Sequence, residues 1–128
     1  MQAKVPQSEL NERMRRFCAR MDTTNPAWEL AIISSKVNLY YFTGTIQDAI
    51  LVIPRDGEAV LWVRRSYSRA VDDSHFPQIR PMQSYRNAAE TLATIPKTVH
   101  LEKEQISLAM CQRLRKHFPF DHVAGIDN

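Results

Sequence analysis

The stretch from Val37 to Val63 constrains this chain more than any other. It holds two short apolar runs, Ala49 to Ile53 and Ala59 to Val63, on either side of Pro54-Arg55-Asp56-Gly57. Proline has no N–H to give a strand ladder, and an Asp-Gly pair suits a type I turn whose last residue is left-handed. The two runs are therefore expected to fold back on each other as an antiparallel hairpin. Neither run alternates with polar residues, so both faces of that hairpin need cover.

The flanking sequence supplies the rest of a sheet and its cover. Leu30 to Ile33 is another branched run, apolar on both faces and suited to a central strand. Upstream, Leu10, Met14, Phe17, Cys18 and Met21 recur at helical spacing. This predicts a helix over residues 8–21, with Ser8 as its cap and residues 1–7 as a loose tail. Asn25, placed before Pro26, is pushed out of the α region and closes it. Val37 to Phe42 fits either a short strand or a single helical turn, and Gly44 permits a positive φ after it.

Beyond the hairpin, residues 66–71 read as a short helix, and residues 78–82 as an edge strand weakened by Pro77 and Pro81. Residues 87–95 read as a helix with Ala88, Leu92 and Ile95 on one face. Residues 98–101 read as a strand. Ser107 caps a last helix whose apolar face is Met110, Cys111, Leu114 and Phe118, and residues 120–123 add an edge strand. The order predicts one α/β domain over residues 1–128. Its sheet is mixed, antiparallel at the hairpin and parallel where helices cross over.

Charge excludes little. A net charge of +3 with 14 acidic residues is too weak to make nucleic acid the expected partner. Arg13, Arg15, Arg16 and Arg20 lie mostly outside the first helix's apolar stripe. Glu9 and Glu12 support them at helical spacing, so a solvated face is expected. Arginine outnumbers lysine, which suits an assembly surface. No apolar run reaches the roughly 18 residues of a membrane span, and Met1 to Ser8 lacks a signal peptide's apolar core. A cytoplasmic chain is expected. Cys18 and Cys111 fall on helical apolar faces and are expected as buried free thiols.

Catalytic chemistry is hard to find. His75, His100, His117 and His122 are scattered, and no Cys-x-x-Cys or His-Glu-x-x-His occurs. Asp72, Asp73 and His75 near Ser66 and Ser68 read as a polar loop, with nothing to activate either serine. Three glycines, at 44, 57 and 125, make no phosphate loop. Glu102 and Glu104 follow a strand, where ordinary loop solvation is expected, with Glu104 near a helix N-terminus. The residues describe an α/β module without an active site of its own.

The segment Asn38-Leu39-Tyr40-Tyr41-Phe42-Thr43-Gly44 resembles a motif of the N-terminal domain of the creatinase/prolidase/aminopeptidase P family. The hairpin, Arg65-Ser66-Tyr67 followed by Ala70, and His100-Leu101-Glu102 followed by residues 107–114 resemble that domain in order, although His100 stands where the family often has glycine. The likeness covers nearly the whole chain. It implies a ribonuclease-H-like fold with helices on both faces and no catalysis in this chain. The metal-dependent Xaa-Pro dipeptidase or aminopeptidase activity would lie in a following domain, which holds two divalent ions (Mn, Co or Zn). The resemblance also implies that the domain meets its own catalytic domain and a second subunit in a homodimer, narrowing access to the active site. Asn38, Tyr41, Thr43 and Gly44 then fix the loop's shape, and Thr45, Asp48, Arg64, Arg65 and Tyr67 are the candidate gating or dimer contacts. Creatinase-like and lyase-like relatives share the plan. A free-standing interaction or nucleic-acid-binding module is the other alternative.

Overall fold

A computed structural model describes residues 4–126. The elements, in chain order, are α1 (Gln7–Thr24), β1 (Leu30–Ile33), α2 (Lys36–Thr43), β2 (Ala49–Pro54), β3 (Val60–Val63), α3 (Tyr67–Asp73), β4 (Ile79–Pro81), α4 (Tyr85–Ala89), β5 (Thr98–Leu101), α5 (Leu108–His117) and β6 (His122–Gly125). The strands form one sheet in the order β4-β3-β2-β1-β5-β6. β2 is antiparallel to both neighbours, while the β1·β5, β3·β4 and β5·β6 pairs are parallel. The mixed sheet and its hairpin are as expected.

Strand side chains alternate between faces, and here both faces are dry. Ala31, Ile33, Leu51, Ile53, Leu61 and Val63 join a core with Leu10, Met21, Leu39, Phe42 and Ala70 from α1, α2 and α3. Leu30, Ile32, Ile50, Val52, Trp62, Val99 and Leu101 join a second core with Ala88, Leu114 and Phe118 beneath α4 and α5. The expected stripe of α1 holds, with Leu10 and Met21 buried and Met14, Phe17 and Cys18 packed beside them. Cys18 and Cys111 are free as expected, but half-buried.

Several boundaries differ for local reasons. Ser8 does not cap α1: the helix starts at Gln7, and the Pro6 carbonyl accepts from the Glu9 and Leu10 N–H groups at 3.0 and 3.1 Å. Of the expected tail, residues 1–3 lie outside the described residues, and Val5 packs on the first core. Val37 to Phe42 is helical, within α2. The Pro54–Gly57 turn forms, with the Gly57 N–H 3.4 Å from the Pro54 carbonyl, but Gly57 is not left-handed. A Cβ there would lie 3.1 Å from Pro54 Cγ, so close approach to the ring explains the glycine. Ser66 lies just outside α3 in the left-handed region, at φ 63.

The expected helix over residues 87–95 is instead the short α4. Ser84 and Asn87 form a capping box that starts it early. The Thr91 hydroxyl then donates to the Ala88 carbonyl at 2.7 Å, competing with the backbone ladder where the helix stops. Leu92 and Ile95 still pack on the second core. β6 begins later than expected, because Asp121 and His122 both donate to the Lys97 carbonyl, at 2.7 and 2.9 Å. Ser107 caps α5 as expected, accepting from the Met110 N–H.

Two stability tests follow from these placements. Gly44 ends α2 at φ 79, and a Cβ there would meet nothing closer than 4.0 Å. Gly44→Ala is therefore expected to lose only backbone conformational energy, about 1–2 kcal/mol, read as a lower urea midpoint with unchanged slope. Burial lowers the pKa of His100 below its ordinary value. The unfolded chain then takes up the proton first. Stability is full above about pH 6.5 and is lost as pH falls below it. Thermal unfolding is expected to show that loss, and His100→Gln to remove it.

Candidate functional site

The parallel neighbours β1 and β5 send their following helices to opposite faces: Leu39 and Phe42 of α2 join the first core, Leu114 of α5 the second. Such a divergence opens a crevice at the strands' carboxyl ends, the usual ligand position in open α/β sheets. Here the chain's own carboxylate fills it. Glu102, directly after β5, is 1% exposed. Its Oε1 accepts from the Ser34 and Ser35 N–H groups at 2.7 and 2.8 Å. Its Oε2 accepts from the Ser35 hydroxyl and from Asn38 Nδ2, the latter at 2.6 Å. This corrects the expectation of a solvated loop carboxylate. The negative charge also sits at the N-terminus of α2, where the helix dipole favours it.

Glu102 accounts for Asn38, which braces the start of α2. The other residues expected to set the loop's shape lie along the same helix. Thr43 is buried, its hydroxyl donating to the Leu39 carbonyl at 2.6 Å, and its own carbonyl accepts from the Ser74 hydroxyl. Gly44 makes the left-handed exit, its N–H donating to the Tyr40 carbonyl at 2.8 Å. Tyr41 is half-exposed. The Arg13 guanidinium lies 4.6 Å from its ring centroid, and Arg13 Nη1 donates to the Tyr41 carbonyl at 2.7 Å. Glu9 holds Arg13 from the other side at 2.9 Å. Thus α1 grips α2, and this arginine is engaged within the fold. Arg15 pairs with Glu12 and Arg16 with Glu9, the support expected of a solvated face.

The expected contact residues divide. Thr45 is buried, with its hydroxyl 3.4 Å from Asp73 Oδ2, so its side chain faces inward. Asp48, Arg64 and Arg65 converge where β2 begins and β3 ends. Asp48 Oδ2 lies 3.8 Å from the Nε of each arginine, and the Arg64 N–H donates to the Asp48 carbonyl at 2.8 Å. Tyr67 is partly exposed, its hydroxyl 3.4 Å from the Ile79 carbonyl.

Residue-by-residue reading misses the outer face of α2. Val37 is 78% exposed, Tyr40 46% and Tyr41 41%, at the i, i+3, i+4 spacing of one helical face, and Ile46 just beyond is 48% exposed. The inner face, Leu39 and Phe42, is also apolar. A helix apolar on two opposite faces is ordinarily buried on both. Tyr40 and Ile46 also line a depression of about 880 Å³ with Ser66, Arg69, Asp72 and Asp73. The available signal was the apolar character of Val37 and residues 39–42, interrupted only by Asn38.

Among the described residues no group of three or more His, Cys, Asp or Glu converges to hold a metal, so the side chains present do not fit one and no metal-assisted step is derived. Nor is any helix among them long and apolar enough to cross a membrane.

Replacing Glu102 tests the clasp. Glu102→Ala strands two backbone amides and two side chains, and is expected to cost about 3 kcal/mol in chemical denaturation. Glu102→Gln can keep most of the bonds if Asn38 flips and the Ser35 hydroxyl turns, at about 1 kcal/mol. Equal losses would contradict the carboxylate's role.

Comparison with known proteins follows the same lines. A prolidase from Pyrococcus furiosus superposes with TM-score 0.74 at 23% identity, covering 90% of this chain and 35% of that one. This chain thus spans about a third of that prolidase's length. A proline dipeptidase structure from Streptococcus agalactiae 2603V gives TM-score 0.70 at 23% identity, covering 96% of this chain and 98% of that one. The creatinase/prolidase N-terminal domain of an X-Pro dipeptidase from Streptococcus pyogenes gives 0.67 at 20% identity, with 94% of each chain covered. At these identities the superpositions establish the fold. A search of curated proteins finds no match. Residues 13–128 match the creatinase/prolidase N-terminal domain, which has a ribonuclease-H-like fold, and the chain belongs to that family.

Proposed function

We propose that the chain serves as the non-catalytic N-terminal domain of a metal-dependent Xaa-Pro peptidase, contributing to dimerisation and shaping substrate access at the catalytic domain. One observation carries this reading: α2 presents Val37, Tyr40 and Tyr41 outward, with Ile46 beside them. Burying what remains exposed of such side chains contributes about 1 kcal/mol each. Four of them together only reach the bottom of the ~4–15 kcal/mol that joining two separate bodies costs. The patch therefore supports a domain that docks as part of a larger chain, where a covalent neighbour and further contacts share that cost. The Asp48, Arg64 and Arg65 cluster supplies a polar rim for gating.

The test has two arms. The chain alone is expected to leave an Ala-Pro dipeptide uncut with or without Mn²⁺ or Co²⁺, and robust hydrolysis by the pure chain would sink the proposal. In the full-length protein, Tyr40→Glu combined with Ile46→Lys is expected to shift sedimentation from dimer to monomer and to raise KM for Ala-Pro more than it lowers kcat. An unchanged dimer with unchanged KM contradicts the role given to α2.

A further inference from the structure

His100 is the residue that neither the fold nor the proposed docking face uses. Val99 and Leu101 of β5 point into the second core, so Thr98 and His100 point to the opposite face. In the sheet His100 stands between Ala31 of β1 and Ala124 of β6, two small residues that leave room for its ring and offer it no polar side chain. The residue is 6% exposed, and its Nδ1 has no hydrogen-bond partner among the described residues. Buried polar atoms in folded proteins are nearly always paired, so one without a partner calls for an explanation.

That ring lines a groove of about 580 Å³, together with Pro26, Trp28, Glu29, Lys97 and Thr98. The volume falls in the range of small-molecule sites, roughly 300–1,000 Å³. Glu29 immediately precedes β1 and Lys97 immediately precedes β5, so opposite charges stand at the amino ends of adjacent parallel strands. Both side chains are exposed, and neither makes an ion pair or side-chain hydrogen bond among the described residues. The groove thus has one anion and one cation at its rim and the His100 ring in its wall, with Nδ1 turned away from solvent. It lies at the other end of the sheet from the Glu102 clasp.

We infer that this groove binds a small zwitterion of amino-acid to dipeptide size, its carboxylate at Lys97, its ammonium at Glu29, and one N–H donated to the His100 ring. Burial keeps that ring neutral near pH 7, so one of its nitrogens remains an acceptor. Nδ1 is closed to solvent. Binding therefore turns the ring about χ2, a broad two-fold torsion. The inference does not depend on the peptidase reading.

Glycylglycine is the probe, and long-range ¹H–¹⁵N spectra of the ¹⁵N-labelled chain read the imidazole nitrogens directly. A saturable shift of the His100 nitrogens is expected, with a Kd of about 1–10 mM. N-acetylglycinamide, with both charges removed, should bind at least about threefold more weakly. Lys97→Met and Glu29→Gln should each weaken glycylglycine by a similar factor, the effect of losing one exposed ion pair at its upper range. Backbone amide spectra check that both variants stay folded. No response of the His100 nitrogens up to ~50 mM, well beyond that Kd range, overturns the inference. So does equal binding of the capped compound, or binding that neither substitution changes. A His100 nitrogen already hydrogen-bonded to resident water and unmoved by the dipeptide overturns it as well.

Discussion

The carboxylate of Glu102 is the interaction on which the rest of the structure depends. β1 and β5 run side by side in the same direction, and their helices leave for opposite faces. The chain after β1 must therefore turn sharply away from β5, exposing the amides of Ser34 and Ser35 at the crevice mouth. A buried N–H without an acceptor costs as much as a lost hydrogen bond. Glu102 answers four donors at once. In many open sheets an anionic ligand occupies this position. In this chain an internal side chain has taken it, so the crevice anchors a helix.

What it anchors gives the domain its outward face. Asn38 and Ser35 hold the start of α2 to Glu102, Gly44 ends the helix, and Arg13 clasps Tyr41 from α1. Held at both ends and along one side, α2 cannot turn its apolar outer residues inward. Val37, Tyr40, Tyr41 and Ile46 therefore remain at the surface as a consequence of the same bonds that stabilise the fold. Scattered exposed apolar residues are ordinary; three on one helical face with a fourth just beyond its end are what the proposed docking role rests on. The structural clasp and the proposed docking face are in this way one arrangement.

Much of this could be read from residues alone, and the exceptions share a cause. Apolar runs announced β1, β2 and β3, and Pro54 to Gly57 announced the hairpin, because those signals are local. Ser107 likewise announced its helix through a cap that acts within three residues. Val37 to Phe42 stayed ambiguous between strand and helix because six residues with a single polar position, Asn38, leave no period to count. Ser8 read as the cap of α1, yet the helix opens one residue earlier, on the Pro6 carbonyl. Glu102 was invisible for the plainest reason. Its partners are 64 to 68 residues away in sequence, and no local pattern shows that four donors from Ser34, Ser35 and Asn38 will surround it. The likeness carried by Asn38 to Gly44 pointed to the right segment, although the physical role of Asn38 emerged only once its partner was placed.

The central claim is that α2 is presented outward in order to be covered by the rest of a larger protein. Hydroxyl-radical footprinting of Tyr40, Tyr41 and Ile46, compared between this chain alone and the full-length protein, tests it most directly. The account predicts rapid labelling of all three in the chain alone and strong protection in the full-length protein, with Tyr67 following the same trend. Equal labelling of α2 in both would contradict it.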